Sequence, residues 1–428
     1  GAKSLAEMEK LFRAALDSFE KRGVTDDDLA KYKGGIEASV INGLQSVSGK
    51  VSQLAAFETF TGNPNKISDL LKMYTSVTKE DVMNAYRKYI KDKGAVIMSI
   101  TPRGQEALVA GADNFKVDSS NYVAPDYGYA GLKYVKAKDT FDRSIVPPSG
   151  PNPTLKVPNF WRKDLANGAK VIGTLNDEVP TVTLSITIPG GHLASAKDLS
   201  KAGLASFFAD MMAEDTKNYT AEEIAVELQR LGSSMNISSS FDGVTFTIST
   251  LKKNLNRTLE LLQERMFNPK FTQQAYDRIQ MQAAQYFKQQ KGNPSAIANQ
   301  VFARLNYGPN HILGISEDGT AETVKNITLQ DIEDYYKNYM TSVDAKVVVV
   351  GDISQAEILP KLKFLDKLPR KKIVLPEVDS TPTVDKTKVY VVDIPKGAQT
   401  QFRVGYTTGL KYDPVGEYYK ATLMNYPL

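Results

Sequence analysis

Apolar residues recur at helical spacing through the first ninety positions. Leu5, Met8, Leu11, Phe12, Leu16 and Phe19 form one stripe closed by Gly23; Val51, Leu54, Phe57 and Phe60 form another, closed by Gly62-Asn63-Pro64. Steps of three and four residues keep side chains on one face, so both segments predict amphipathic helices. Further along, the period changes. Residues 171–177, 181–188 and 241–251 alternate apolar with polar, the pattern of half-buried strands. Between them Leu204, Phe207, Phe208, Met211 and Met212 restore the helical step over residues 202–213.

Two internal repeats organise these elements. Residues 78–89 match residues 328–339 at an offset of 250, and each copy leads into a strand-like segment, 95–100 and 345–350. Thr78 and Thr328 are each followed at the third position by an acid, Asp81 and Asp331, the arrangement of a reciprocal N-terminal helix cap. A weaker repeat sets the strand pair 171–177 and 181–188 beside residues 389–394 and 401–406, with a further helix expected from about Val415. Little periodicity marks residues 105–155, whose end reads Val146-Pro-Pro-Ser-Gly-Pro-Asn-Pro153, and a second linker at 369–385 carries Pro376 and Pro382. The chain thus divides into 1–104, a linker, 156–368, a short linker and 386–428. It opens without methionine and stops in mid-pattern, so both ends are expected to be cut.

Composition narrows the chemistry. There is no cysteine, and the only histidines are His192 and His311, each read as a surface or turn residue. The strongest zinc ligands are therefore scarce, and no metal is expected in this chain. Fifty-three basic residues against 49 acidic ones leave a net charge of +4, which argues against a nucleic-acid partner. The longest aliphatic run, Val347 to Val350, is strand-sized, so no membrane span is expected. Asp26-Asp27-Asp28 reads as a helix N-terminus, where backbone dipoles favour negative charge, rather than as a calcium site.

Residues 203–216, Gly-Leu-Ala-Ser-Phe-Phe-Ala-Asp-Met-Met-Ala-Glu-Asp-Thr, resemble the segment around the inverted zinc motif (His-x-x-Glu-His) of the insulinase or pitrilysin-type metallopeptidases. Phe141-Asp-Arg-Ser, Leu165-Ala-Asn-Gly-Ala-Lys-Val, Pro189-Gly-Gly and Phe267-Asn-Pro look like further landmarks of that family. In register, the two histidines fall on Ser206 and Asp210 and the catalytic glutamate on Ala209. The resemblance implies a third ligand, a glutamate some seventy to eighty residues on, yet no glutamate occurs between Glu264 and Glu317. An Arg/Tyr pair that active members borrow from a following domain would lie beyond Leu428.

The implied architecture is α+β: homologous domains, each an antiparallel-rich sheet covered by helices. Residues 1–104 would be the end of one domain, 156–368 a complete degenerate one, and 386–428 the start of another. The implied function is that of a chamber-forming, substrate-binding part of a peptide-degrading zinc metallopeptidase. Catalytic residues are expected to be absent here, with Ser206, Ala209 and Asp210 as vestiges. Zinc belongs to a catalytic half of the same polypeptide or to a catalytic partner chain, and peptides are the expected substrates. The compartment stays open, the resemblance leaning towards the bacterial periplasm. The alternative is a structural or assembly subunit with no proteolytic partner. Exposed helix faces and strand edges in 1–104 and 386–428 further suggest an oligomer.

Overall fold

The computed structural model describes residues 4–114, 120–135, 142, 144–146, 148, 150–151, 154, 156–378, 386–395, 397, 399–413 and 415–426. Phe141 and Arg143 of one family landmark, Pro147, Ser149, Asn152 and Pro153 of the proline-rich run, and Pro382 lie outside the described residues. Five helices come first: α1 (Leu5–Arg22), α2 (Asp26–Gly43), α3 (Val47–Thr61), α4 (Ile67–Ser76) and α5 (Lys79–Tyr89). Strands β1 (Trp161–Asp164), β2 (Lys170–Leu175) and β3 (Thr181–Pro189) lead to α6 (Leu204–Met212) and α7 (Ala221–Leu231). Then follow β4 (Ser234–Ser239), β5 (Gly243–Leu251), α8 (Leu255–Phe267), α9 (Gln273–Gln290) and α10 (Pro294–Tyr307). Short α11 (Thr323–Asn326), α12 (Leu329–Tyr339), β6 (Lys346–Gly351), short α13 (Gln355–Ile358) and α14 (Glu417–Asn425) complete the order.

The chain separates into two compact units, one of residues 1–26 and 77–158, the other of 27–76 and 159–428. In the first unit, α1 and α5 meet through Phe19 and Tyr86, whose rings pack edge to face at 5.3 Å, and through a Lys91–Glu20 ion pair. Helix α5 starts with the predicted reciprocal capping box of Thr78 and Asp81, and Ser4 with Glu7 forms another at the start of α1. Residues 95–100, expected as a strand, join no strand ladder among the described residues, and Val96 is 99% exposed. An apolar run becomes a strand only where a neighbour accepts its backbone bonds. The same correction applies in the second unit to residues 389–394 and 401–406.

The second unit is built on a six-stranded sheet in the order β1-β2-β6-β3-β5-β4. Every neighbouring pair is antiparallel except β2 with β6, which run parallel. Strand alternation divides the faces. Val182, Leu184, Ile186, Val244, Phe246, Ile248, Val347 and Val349 point to one side and are buried. That side packs against helices whose stripes supply Phe207, Phe208, Met211 and Met212 from α6, Leu259 and Leu262 from α8, Ile279 from α9 and Ile332 from α12, in one continuous core. The other side carries Thr183, Ser185 and Thr187 of β3 beside Ser249, Thr247 and Thr245 of β5. It is open to solvent: Val348 and Val350, on the same side, are 42% and 38% exposed.

The capping box predicted at Thr328 and Asp331 is present on α12. Burial alone would push the Asp331 carboxyl up, but hydrogen bonds from Lys201 and Thr328 hold it below the usual range. Helix α2 does begin at Asp26, and Asp27 pairs with Lys31 and with Arg230 of α7. Gln45, just past α2, donates 3.1 Å to the Thr181 hydroxyl, and Lys50 of α3 pairs with Glu178 at 2.9 Å, fixing these helices beside the β2–β3 turn.

His192 is a turn residue, as expected, but not a surface one. It is buried at 2% exposure in a short helical turn after β3, and its Nε2 donates to the carbonyls of Ile312 (3.0 Å) and Ile315 (3.1 Å). Its Nδ1 has no hydrogen-bond partner among the described residues. The preceding Pro189-Gly190-Gly191 has a steric cause. Gly191 has φ +61°, and a Cβ there would stand 2.4 Å from both the Gly243 nitrogen and the Ser240 oxygen, so the chain can turn tightly over the β4–β5 hairpin only without a side chain. His311 accepts a bond from the Leu313 amide and stacks on Tyr307.

Candidate functional site

Helix α6 carries Ser206, Ala209 and Asp210, the three positions that the resemblance assigns to the motif. It starts after Gly203, whose φ of +97° is left-handed and whose missing Cβ makes room for the Asp318 carbonyl, 2.6 Å from where that atom would lie. The 316–319 turn is thereby brought against the first helical turn. Ser206, one turn in, donates a 3.0 Å hydrogen bond from its hydroxyl to the Asp318 carboxylate. Asp210 follows one turn later on the same edge. Ala209 points elsewhere: it is 2% exposed and belongs to the core.

Facing this edge is α9, which contributes Ile279, Gln282, Ala283, Tyr286 and Phe287 to a cleft of about 340 Å³ shared with Ser206, Asp210 and Asp318. The window in which a third ligand is expected is therefore brought opposite α6, but with apolar and amide side chains. Burial pushes the Asp210 carboxyl above its ordinary range, and the nearby Asp318 and Glu214 carboxylates push it further. Glu214 is itself paired with Arg278 of α9.

Zinc, the metal the resemblance implies, does not fit these residues. Catalytic zinc sites use three protein ligands, mostly imidazole nitrogen with a carboxylate. The cleft offers a hydroxyl already bonded to Asp318, two carboxylates, an amide and the phenol of Tyr286. Among the described residues no three His, Cys, Asp or Glu side chains converge closely enough to hold a metal ion.

Two site-shaping residues escape a sequence reading. Asp318 lies 112 positions from Ser206, and only the turn-like Ser316-Glu317-Asp318-Gly319 marks its loop. Arg265 of α8 is 7% exposed and donates through Nη1 to the Met212 carbonyl (3.0 Å) and the Glu214 carbonyl (3.1 Å), satisfying orphan acceptors at the end of α6. Glu264 beside it accepts bonds from Asn218 and from Asn268, so the glutamate nearest the expected window ties two loops together.

The sequence profile described as Insulinase (Peptidase family M16) matches residues 171–308, which include α6 and α9. A second, Peptidase M16 inactive domain, matches residues 326–426, and the two together span more than half of the chain. This chain belongs to the insulinase family of peptidases. Within that family it is homologous to zinc proteases and carries an inactive-type domain. A probable mitochondrial-processing peptidase subunit beta of Arabidopsis thaliana is 23% identical over 240 residues, 54% of this chain and 44% of that protein. A non-peptidase homologue of Helicobacter pylori is 27% identical over 209 residues, 48% of each. The crystal structure of a peptidase M16 inactive domain from Pseudomonas fluorescens matches with a TM-score of 0.48 and 21% identity, covering 52% of this chain and 53% of that one. The insulinase-family chain described here thus spans about half the length of the curated relatives it matches. None of its helices, among the described residues, is long and apolar enough to cross a membrane.

Proposed function

We propose that this chain is a non-catalytic, wall-forming and peptide-binding part of a zinc metallopeptidase whose metal is held by residues outside it. The observation that carries the reading is the free edge of β4. Among the described residues this strand ends the sheet and pairs only with β5, and it reads Ser-Met-Asn-Ile-Ser-Ser. Edge strands that must stay unpaired are defended by charge, proline or a bulge. Six residues without a charge or a proline present a row of backbone donors and acceptors to any extended chain, and strand addition is a recurring way to bind peptides. The edge lies beside α6, in a family of peptidases, while α6 offers neither ligand set nor base. Binding without cleavage is what this combination supports. The zinc would sit in another domain of the same polypeptide or in a partner chain, with this chain closing part of a shared chamber.

Hydrogen exchange on the full chain, with and without an unstructured twenty-residue peptide in excess, tests this. Protection of amides in 234–239 on peptide addition is expected, with no hydrolysis of the peptide. Unchanged exchange there, or chelator-sensitive cleavage by this chain alone, would overturn it. One observation favours a second reading: a relative matched over 48% of its length is described as a non-peptidase homologue. A structural subunit with no proteolytic partner would show no β4 protection and no co-purifying peptidase activity.

A further inference from the structure

The cleft between α6 and α9 has two unlike walls. On one side stand two carboxylates, Asp210 on α6 and Asp318 on the 316–319 turn. Ser206 donates to Oδ1 of Asp318, and a carboxylate that accepts one bond keeps lone pairs for further donors. The charges that act on Asp210 are the negative ones of Asp318 and Glu214, so this wall attracts a cation and repels an anion. On the other side Ile279, Tyr286 and Phe287 share one face of α9 and line the same space. The Tyr286 and Phe287 rings stand edge to face at 5.3 Å. Phe207, Ile279 and Val324, all buried, give the cleft an apolar lining beneath both walls.

We propose that this cleft binds an organic cation with a flat, charge-delocalised head on an apolar stem, a guanidinium or amidinium compound. Each part of such a ligand has a counterpart in the cleft. The forked N–H donors of the head suit carboxylates, which accept them in pairs. The plane of the head suits the aromatic wall, because the face of a ring such as Tyr286 carries negative charge. The stem suits Phe207, Ile279 and Val324. Sites for small molecules are clefts of several hundred Å³, largely apolar, with a few polar groups that fix orientation; this one measures about 340 Å³. The proposal does not rest on the peptide-binding reading. A free small molecule suffices, and an arginine side chain of a polypeptide would present the same head.

Calorimetric titration of the full chain with phenylguanidine and with phenylurea, alike in shape and different in charge, is the test. Phenylguanidine is expected to bind one to one with a Kd of about 1 mM or below, and phenylurea about tenfold more weakly. Asp210→Asn, nearly isosteric, should weaken phenylguanidine by about tenfold, and Tyr286→Ala by about threefold. A second arm uses an acetylated, amidated glycine-arginine-glycine tripeptide and its citrulline counterpart, which lacks the charge. Arginine-dependent binding at least as tight as that of phenylguanidine assigns the cleft to a side chain; weaker binding assigns it to a free cation. Equal affinities for phenylguanidine and phenylurea, or unchanged phenylguanidine affinity in Asp210→Asn, would overturn the proposal, as would failure of both cations to bind. Protection of amides 234–239 by peptide is read separately, so either conclusion can fail without the other.

Discussion

The Ser206 hydroxyl and the Asp318 carboxylate, 112 residues apart, are joined by a 3.0 Å hydrogen bond across the cleft between α6 and its neighbouring turn. The family resemblance assigns Ser206 to the position of the first metal-binding histidine. Here that position is engaged with a turn that Gly203 allows to approach within contact. This end of α6 serves as a fastening point for residues 316–319.

Restoring the motif on α6 is expected to fail for two separate reasons. Ser206→His, Ala209→Glu and Asp210→His together recreate the spelling, yet α9 presents Gln282, Tyr286 and Phe287 where another ligand is needed. Ala209 is also buried in the core, so a glutamate there is forced into space that holds a methyl group. The triple variant should lose about 3 kcal/mol or more of stability and show neither tight zinc binding nor hydrolysis. Urea denaturation together with metal analysis checks both parts; a stable, zinc-loaded triple variant would refute the placement of Ala209.

Asp210→Asn should stabilise the protein at neutral pH, and the gain should fade in acid. The folded-state pKa of Asp210 is raised, first by burial and then by Asp318 and Glu214. The folded form therefore binds this proton more tightly than the unfolded form, and the ionised group costs stability once pH rises above the ordinary aspartate range. Because the side chain remains in contact with solvent, the effect should stay below about 1 kcal/mol. Thermal unfolding at pH 7 and pH 3.5 checks the sign: asparagine should be ahead at the first and level at the second.

Gly34→Ala sets two effects against each other. Alanine in a helix interior gains about 1 kcal/mol over glycine. At this site of α2, however, a Cβ would lie 2.1 Å from the Arg230 carbonyl oxygen and 2.8 Å from its carbon, both backbone atoms. Overpacking of this kind costs about 1–3 kcal/mol, so the variant should be net destabilised in urea. A rise in midpoint would mean that α2 does not pack on α7 as described.

How much of this was legible in the sequence depends on the reach of each contact. The α6 stripe of Leu204, Phe207, Phe208, Met211 and Met212, the alternation of β5, and the Thr78–Asp81 and Thr328–Asp331 caps all rest on residues within a few positions of each other, and each was readable. Partners far along the chain were not. His192 looks like an ordinary turn histidine until residues 312 and 315 return to accept its Nε2 proton. Asp27 reads as a favourable charge at a helix start, which it is, but its bond to Arg230 spans 203 positions. Residues 95–100 and 389–394 show the converse: the apolar pattern of a strand is present, and no neighbouring strand receives it among the described residues. In the cleft, only the resemblance assigns Ser206, Ala209 and Asp210 to motif positions, and the Asp318 turn that closes over them was not readable.

The position of β6 in the sheet also sets an order of assembly. It lies between β2 and β3, parallel to one and antiparallel to the other, although both precede it by more than 150 residues. Until residues 346–351 have been synthesised, β1 with β2 and β3 with β5 and β4 form two strand sets whose inner edges have no partner. Contacts so distant along the chain are late and slow to form, and domains emerge from the ribosome N-terminus first. The sheet is therefore closed from its middle, by its last strand, after both outer edges are already in place. A nascent chain stopped just short of Lys346 would lack Val347, Val349 and the core side chains from Ile353 to Leu368 and would expose two unpaired edges at its centre, a species for chaperones to hold rather than a smaller version of the fold.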